Sequence, residues 1–89
     1  MLERPAPAGG IVVEDLDDEL CLYRPDTAEV LVLNQTAGDV WRLCDGSADV
    51  AEIVRLLASA YRSTPDALAE DVRAVLVDLH ERGYLVDAG

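Results

Sequence analysis

The sequence predicts an α+β domain with a winged-helix-like arrangement, in which a three-stranded antiparallel sheet is followed by three helices. Three observations lead there. Apolar residues in the first third of the chain come in short runs separated by turn residues. After Asn34 the apolar spacing changes to the period of a helix and keeps it. The two kinds of pattern are also segregated along the chain, strands first and helices after, which is the α+β order and not the alternating one.

Residues 1–10 contain two prolines and end in Gly9-Gly10, which predicts a flexible N-terminal arm ahead of a domain over residues 11–89. Ile11 to Glu14 predicts a first strand, and Leu16 to Glu19 a mostly polar reversal. Leu20 to Tyr23 predicts a second strand. Pro25, Asp26 and Thr27 form the next turn, with Pro25 supplying the fixed φ of an early turn position. Ala28 to Leu33 predicts a third strand. Connections this short make the three strands antiparallel neighbours.

The first helix is predicted over Thr36 to Cys44, with Ala37, Val40, Trp41 and Cys44 at i, i+3, i+4 and i+7. Thr36 and Asp39 have capping-box spacing, and Asp45-Gly46 ends the helix. The second helix is predicted over Val50 to Tyr61, capped by Asp49 with Glu52, and buries Val50, Ile53, Val54, Leu57 and Tyr61. The third is predicted over Pro65 to Arg82. Thr64 caps it, Pro65 opens it, Asp66 faces the positive end of its dipole, and Leu68, Val72, Val75, Leu76 and Leu79 form its buried face. Tyr84 to Val86 leave it as an extended tail.

The third strand is unusual. Val30 to Leu33 are four apolar residues in succession, whereas a strand with one wet face alternates apolar and polar. Leu31 and Leu33 share one face, Val30 and Val32 the other, and either pair can meet the core. Either the chain covers both faces or something else covers one of them.

Composition narrows the function. The chain has 89 residues, 51% of them hydrophobic, enough for one modest core. Its net charge is −11, from eighteen acids against seven bases, all arginine. Such a surface argues against nucleic acid, since counterion displacement needs cationic residues. Anionic membrane is disfavoured on the same ground, and Asp66, Glu70, Asp71, Asp78 and Glu81 would repel phosphate from the third helix. The acidity serves solubility, or a partner or peptide with positive charge. There is no apolar signal segment, and no run approaches the ~20 residues of a membrane span. The expected location is therefore cytoplasmic.

Catalytic sets are hard to find. His80 is the sole histidine and reads as a solvated or capping side chain near a helix C-terminus. Cys21 and Cys44 read as buried free thiols, with no CxxC and no metal-ligand spacing. No glycine-rich phosphate loop is present. The expectation is a binding module without catalytic residues, metal or cofactor.

Leu33-Asn34, Thr36-Ala37, Val40-Trp41, Asp45-Gly46, Val50 to Ile53, Asp71-Val72, Leu76, Leu79 and Gly83 to Leu85 can now be read together. This series resembles the PqqD-like family, the recognition elements for ribosomally synthesised, post-translationally modified precursor peptides. The resemblance covers well over half of the chain. It implies three strands and three helices. It also implies non-catalytic binding of a precursor's leader segment as an added β-strand against the third strand, in a cleft closed by the third helix. Carried onto this chain, the leader-binding residues are Glu29, Val30, Leu31, Val32 and Leu33 on the strand, and Val72, Arg73, Leu76, Val77 and His80 on the helix. Val77 lies off the main apolar stripe, where it either floors the cleft or is an ordinary exposed valine. Arg73 pairs either with a leader acid or with Glu70 at i−3.

Within the family, the free-standing leader-binding proteins of lasso-peptide pathways are about this size and often have an aromatic residue where Trp41 stands. Their partners are a leader protease and a cyclase. PqqD-type or mycofactocin-type chaperones, which serve a radical-SAM enzyme, are the alternative. Tyr23-Arg24-Pro25-Asp26 departs from the Tyr-Pro-Glu-Gly usual in PqqD itself. An acidic winged-helix module that binds or regulates other proteins is a further reading. An exposed edge strand also allows a weak dimer beside the monomer.

Overall fold

The structure is a computed structural model, and it describes residues 2–89. Three strands, β2 (Val12–Leu16), β3 (Glu19–Arg24) and β4 (Glu29–Leu33), form an antiparallel sheet in the order β2-β3-β4. Helices α1 (Gln35–Leu43), α2 (Val50–Ala60) and α3 (Pro65–Glu81) follow. The α+β fold class expected from the sequence is therefore present, with the third strand of the meander as β4. A second, two-stranded sheet joins β1 (Pro5–Pro7) to β5 (Leu85–Asp87).

Both hairpins reverse through left-handed residues. Asp17, at φ 54, lies between β2 and β3, where a short polar side chain tolerates that conformation. Between β3 and β4 the Thr27 N–H donates to the Arg24 carbonyl at 3.3 Å, and Ala28 sits at φ 58. The left-handed backbone explains why β4 begins at Glu29 and not at Ala28. An L-residue with a Cβ pays about 1 kcal/mol there, which glycine does not. Ala28→Gly is therefore expected to stabilise the fold by about 0.5–1 kcal/mol. A raised urea midpoint with an unchanged slope is the check.

Cross-strand partners share a face, so the register decides which way each side chain points. Leu20 pairs with Leu33 and Leu22 with Leu31, and Leu20, Leu22 and Leu33 are buried under the helices while Leu31 is half-buried. The core therefore takes Leu31 and Leu33. Val30 opposite Tyr23, and Val32 opposite Cys21, form the outer face and remain exposed. α1 packs on β3 and β4. Its Gly38 allows the approach, since a Cβ there would stand 3.4 Å from the Leu20 Cβ.

The helices start where polar side chains satisfy free N–H groups. Asn34 caps α1 by accepting from the Ala37 N–H at 2.9 Å, so the expected Thr36–Asp39 capping box is replaced and the helix begins at Gln35. The box at α2 is present: the Glu52 N–H donates to Asp49 at 2.8 Å and the Asp49 N–H to Glu52 at 3.4 Å. Thr64 accepts from the Ala67 N–H, and Pro65 opens α3. Val40, Trp41, Ile53, Leu57, Val72, Leu79, Tyr84 and Leu85 are central to the core. Tyr61 departs from expectation: it follows α2, is exposed, and its hydroxyl donates to Asp39 of α1.

Within the N-terminal segment expected as a flexible arm, residues 2–8 are held against the domain; Met1 lies outside the described residues. Pro5 pairs with Asp87 and Pro7 with Leu85, the Pro5 side chain is fully buried, and Leu2 joins the core. A three-residue strand with a single neighbour loses little from prolines that cannot donate. The remaining bonds come from its flanks: the Ala88 N–H donates to the Arg4 carbonyl, the Ala8 N–H to Tyr84, and the Gly46 N–H to Pro5, each at 2.9 Å. Tyr84 to Val86 are accordingly a core residue and part of a strand, not a free tail.

The Asp87 carboxylate accepts from the Arg4 N–H at 3.0 Å and the Gly89 N–H at 3.1 Å. These bonds hold its pKa below the ordinary 3.8. A depressed carboxylate stabilises the fold above its unfolded pKa and loses that effect as pH falls through its folded pKa. The β1–β5 pair is thus expected to loosen only below about pH 4. Amide exchange at Arg4 and Gly89 followed against pH tests this, and loosening between pH 5 and 6 would contradict it.

Candidate functional site

β4 is an edge strand, and alternate residues along it direct N–H and C=O groups away from β3. Edges of this kind are commonly protected by proline, a bulge or inward charge. β4 has no proline, pairs without a bulge from Glu29 to Leu33, and has its one charge, Glu29, at the turn end. The Thr27 hydroxyl donates to Glu29 at 2.9 Å. Val30 is 59% exposed and Val32 49%. The expected strand residues therefore form one continuous, accessible edge.

The expected helix residues fall elsewhere. Val72 and Leu76 belong to the buried core. Leu76 at its margin, with Arg73, Val77 and His80, lines a groove of about 1100 Å³ shared with α2 and residues 2–4, and no β4 residue lines it. Arg73 forms no ion pair with Glu70; the ion pairs among the described residues join Arg42 to Asp15 and Asp39, and Arg82 to Asp78.

At 100° per residue, Leu68 and Val75 lie on the flank of α3 turned away from that groove. Leu68 and Val75 are half-buried, as are Leu31 of β4 and Ala37 of α1, and all four pack against the core. α3 and β4 touch each other marginally at most, while both pack on α1.

Sequence reading missed the contact that fixes the end of β4. The Arg24 guanidinium donates to the Gly83 carbonyl and lies 4.7 Å from the centre of the Tyr84 ring. It ties the β3–β4 hairpin to the end of α3. Gly83, at φ 80, accepts this neighbour at close range, since a Cβ would stand 3.4 Å from the guanidinium. The signal was faint: one arginine before a turn proline, with the carbonyl that it meets 59 residues away.

Cys44 is no activated nucleophile. Cys44 is buried and donates to the Val40 carbonyl at 3.1 Å. Burial, and then the charge of Asp45, push its pKa up to about 12, the opposite of what a reactive thiolate needs. Cys21 is free but only half-buried, on the outer sheet face, which corrects the expectation of a buried thiol there. No metal-binding cluster occurs among the described residues. None of their helices is long and apolar enough to cross a membrane.

The open edge and the helices that carry it can now be set beside known proteins. Residues 19–85 match the family model for coenzyme PQQ synthesis protein D. The chain belongs to the PqqD family. The PqqD match runs from the start of β3 to the start of β5, so it takes in β4, the three helices and the Arg24 contact. Among curated relatives, a PqqA binding protein of Rhodopseudomonas palustris is 39% identical over 59 residues, 66% of this chain and 58% of that protein. Another PqqA binding protein, of Bradyrhizobium diazoefficiens, is 36% identical over 59 residues, 66% of this chain and 57% of its own length. The matched stretch thus spans less than two thirds of these relatives. Two solved structures share the PqqD-like fold. TbiB1 in complex with the TbiA(beta) leader peptide has a TM-score of 0.79 at 22% identity, covering 90% of this chain and 93% of its own. A lasso peptide synthetase B1 complexed with its leader peptide has a TM-score of 0.77 at 27% identity, covering 93% and 98%.

Proposed function

We propose that this protein binds the leader segment of a ribosomally synthesised precursor peptide and delivers it to modifying enzymes, without a chemical step of its own. The observation that carries this reading is the undefended edge of β4. An extended leader added there gains main-chain hydrogen bonds along Glu29 to Leu33, and neighbouring apolar surface selects its side chains. Leu31 and Ala37 on one side and Leu68 and Val75 on α3 are that surface in this reading, with Val72 and Leu76 behind it in the core. The assignment refines the sequence-based one, because Arg73, Val77 and His80 face the other flank of α3.

The partners in this reading are the leader protease and the cyclase of a lasso-peptide pathway. Support comes from one structural neighbour at 27% identity, a lasso peptide synthetase B1 complexed with the leader peptide. A second reading, a PqqD-type chaperone for a radical-SAM enzyme, is favoured by the higher identity to PqqA binding proteins. Both readings place the leader on β4 and differ in the enzyme that receives it.

Fluorescence anisotropy of a labelled leader, encoded beside this chain's gene, tests the shared claim. Saturable binding that a scrambled leader does not reproduce is expected; equal binding of the two would sink the proposal. Faster leader removal by a neighbouring protease in the protein's presence would select the lasso reading. Dependence of a radical-SAM modification on the protein would select the other.

A further inference from the structure

The helices cover one face of the three-stranded sheet and leave the other bare. The register sets Val12, Tyr23 and Val30 in one row of that outer face, Glu14, Cys21 and Val32 in the next, and Leu16 beside Glu19 at its end. Val12, Leu16, Tyr23, Val30 and Val32 are five of the ten exposed large hydrophobic residues among those described, and they stand together on this one surface. Apolar residues scattered singly need no partner, whereas a contiguous exposed patch marks an interaction surface. An added strand on β4 lies edge to edge with the sheet, so it extends this face and leaves it open.

The charge around this patch has one sign. Its own charged residues are Glu14 and Glu19, and the turns at the two ends of the sheet add Asp17, Asp18 and Asp26. Arg24 is the single base between Ile11 and Leu33, and its guanidinium is engaged by the Gly83 carbonyl and the Tyr84 ring. No base therefore stands on the outer face to answer its carboxylates. A second copy of the chain fits poorly for the same reason. Two such faces stacked together set acid against acid, in a chain whose net charge is already −11.

We infer that the outer sheet face is a docking surface for a cationic amphipathic helix of a partner protein. The apolar stripe of that helix covers Val12, Tyr23, Val30 and Val32, and bases along its borders meet Glu14, Glu19 and the turn aspartates. A helix laid on a sheet is a common way to bury an apolar sheet face, and the chain's own helices do so on the inner face alone. The acidic border steers a basic partner to the patch and turns acidic ones away.

The test titrates the isotope-labelled full chain with a synthetic helical peptide bearing leucines at i, i+3, i+4 and i+7 flanked by lysines. A second peptide has glutamate at every lysine, and a third keeps the lysines but has serine at every leucine. The lysine–leucine peptide is expected to shift the amides of Val12, Cys21, Tyr23 and Val32 saturably and to weaken with salt. The glutamate peptide is expected to be silent, and the serine peptide to bind at least tenfold more weakly. Combined Glu14→Lys and Glu19→Lys changes, both at exposed positions outside β4, are expected to weaken the lysine–leucine peptide by about tenfold and leave leader affinity unchanged. The inference is overturned if that peptide gives no saturable shift, if either control peptide binds equally, or if the double variant binds it unchanged. Shifts that fall on the acidic residues of α3 instead would show general charge attraction and overturn it too. Concentration-dependent shifts at the same amides in the free protein would assign the face to a second copy. If the double variant loses leader affinity, the face belongs to the leader, and the inference fails while leader binding stands.

Discussion

Val32→Pro is expected to lower leader affinity by about a hundredfold. Val32 is in the middle of β4, opposite Cys21, with its side chain on the exposed outer face. Proline deletes one backbone donor, and its ring crowds any strand laid alongside. A lost peptide hydrogen bond is worth about 1 kcal/mol, and steric displacement of the neighbouring bonds adds about the same again or more. Together these come to about 2–3 kcal/mol, or about a hundredfold in affinity. Since proline also strains β4 against β3, the variant is read only where its circular dichroism and urea unfolding match the parent. A reciprocal experiment avoids the difficulty altogether. N-methylation of alternate leader amides removes ladder donors without touching the protein. One alternating set is expected to abolish binding and the other to be tolerated, since only every second amide of an added strand faces its neighbour. Equal tolerance of both sets would rule out strand addition.

Arg24→Ala is the second large effect. Three magnitudes decide its sign. The charged hydrogen bond to the Gly83 carbonyl is worth about 1.5–3 kcal/mol. The stacking over Tyr84 adds about 0.5–1 kcal/mol. Against them, the Arg24 Nε is buried without a partner, a cost of about 1–2 kcal/mol that the truncation removes. The first two outweigh the third, so the fold is expected to lose about 1–2 kcal/mol and roughly 5–10 °C in Tm. Leader affinity is expected to fall as well, by about fivefold, because the β3–β4 hairpin is no longer held to the end of α3. Arg24→Lys retains a charge near the ring but not the planar fork, so it should recover only part of either loss. A variant with parental Tm and parental affinity would show that this contact is incidental.

The two effects also show which features a sequence exposes. Helix starts were legible at Asp49-Glu52 and Thr64-Pro65 because a cap and the group it satisfies lie within three residues of each other. At α1 the same local rule offered Asn34 and Thr36 as competing caps, and Asn34 takes the helix start. The buried stripes of α2 and α3 were legible through their period, apart from Tyr61, which hydrogen-bonds to Asp39 at the protein surface. The candidate strand was legible as an apolar run, but its inward face was not. Leu31–Leu33 and Val30–Val32 are equivalent until the register against β3 is known.

Long-range pairing accounts for the other departures. Prolines and glycines near the N-terminus look locally like an arm, yet Pro5 meets Asp87 at the far end of the chain. Arg24 meets Gly83 and Tyr84 by the same kind of distant closure. On α3, periodicity separates buried from exposed residues but does not say which flank faces which neighbour. Leu68 and Val75 pack against the core, while Arg73, Val77 and His80 line the groove shared with α2.

Strand addition on β4 makes one directly measurable demand. A strand laid on that edge must shield the β4 amides that point away from β3. Hydrogen exchange of the free and leader-saturated protein, resolved by residue, reads this out. The account predicts slowed exchange at alternate residues within Glu29–Leu33, with the amides of Val50–Arg55 in the α2–α3 groove unchanged. Slowed exchange confined to the groove, with β4 exchanging as freely as before, would contradict it.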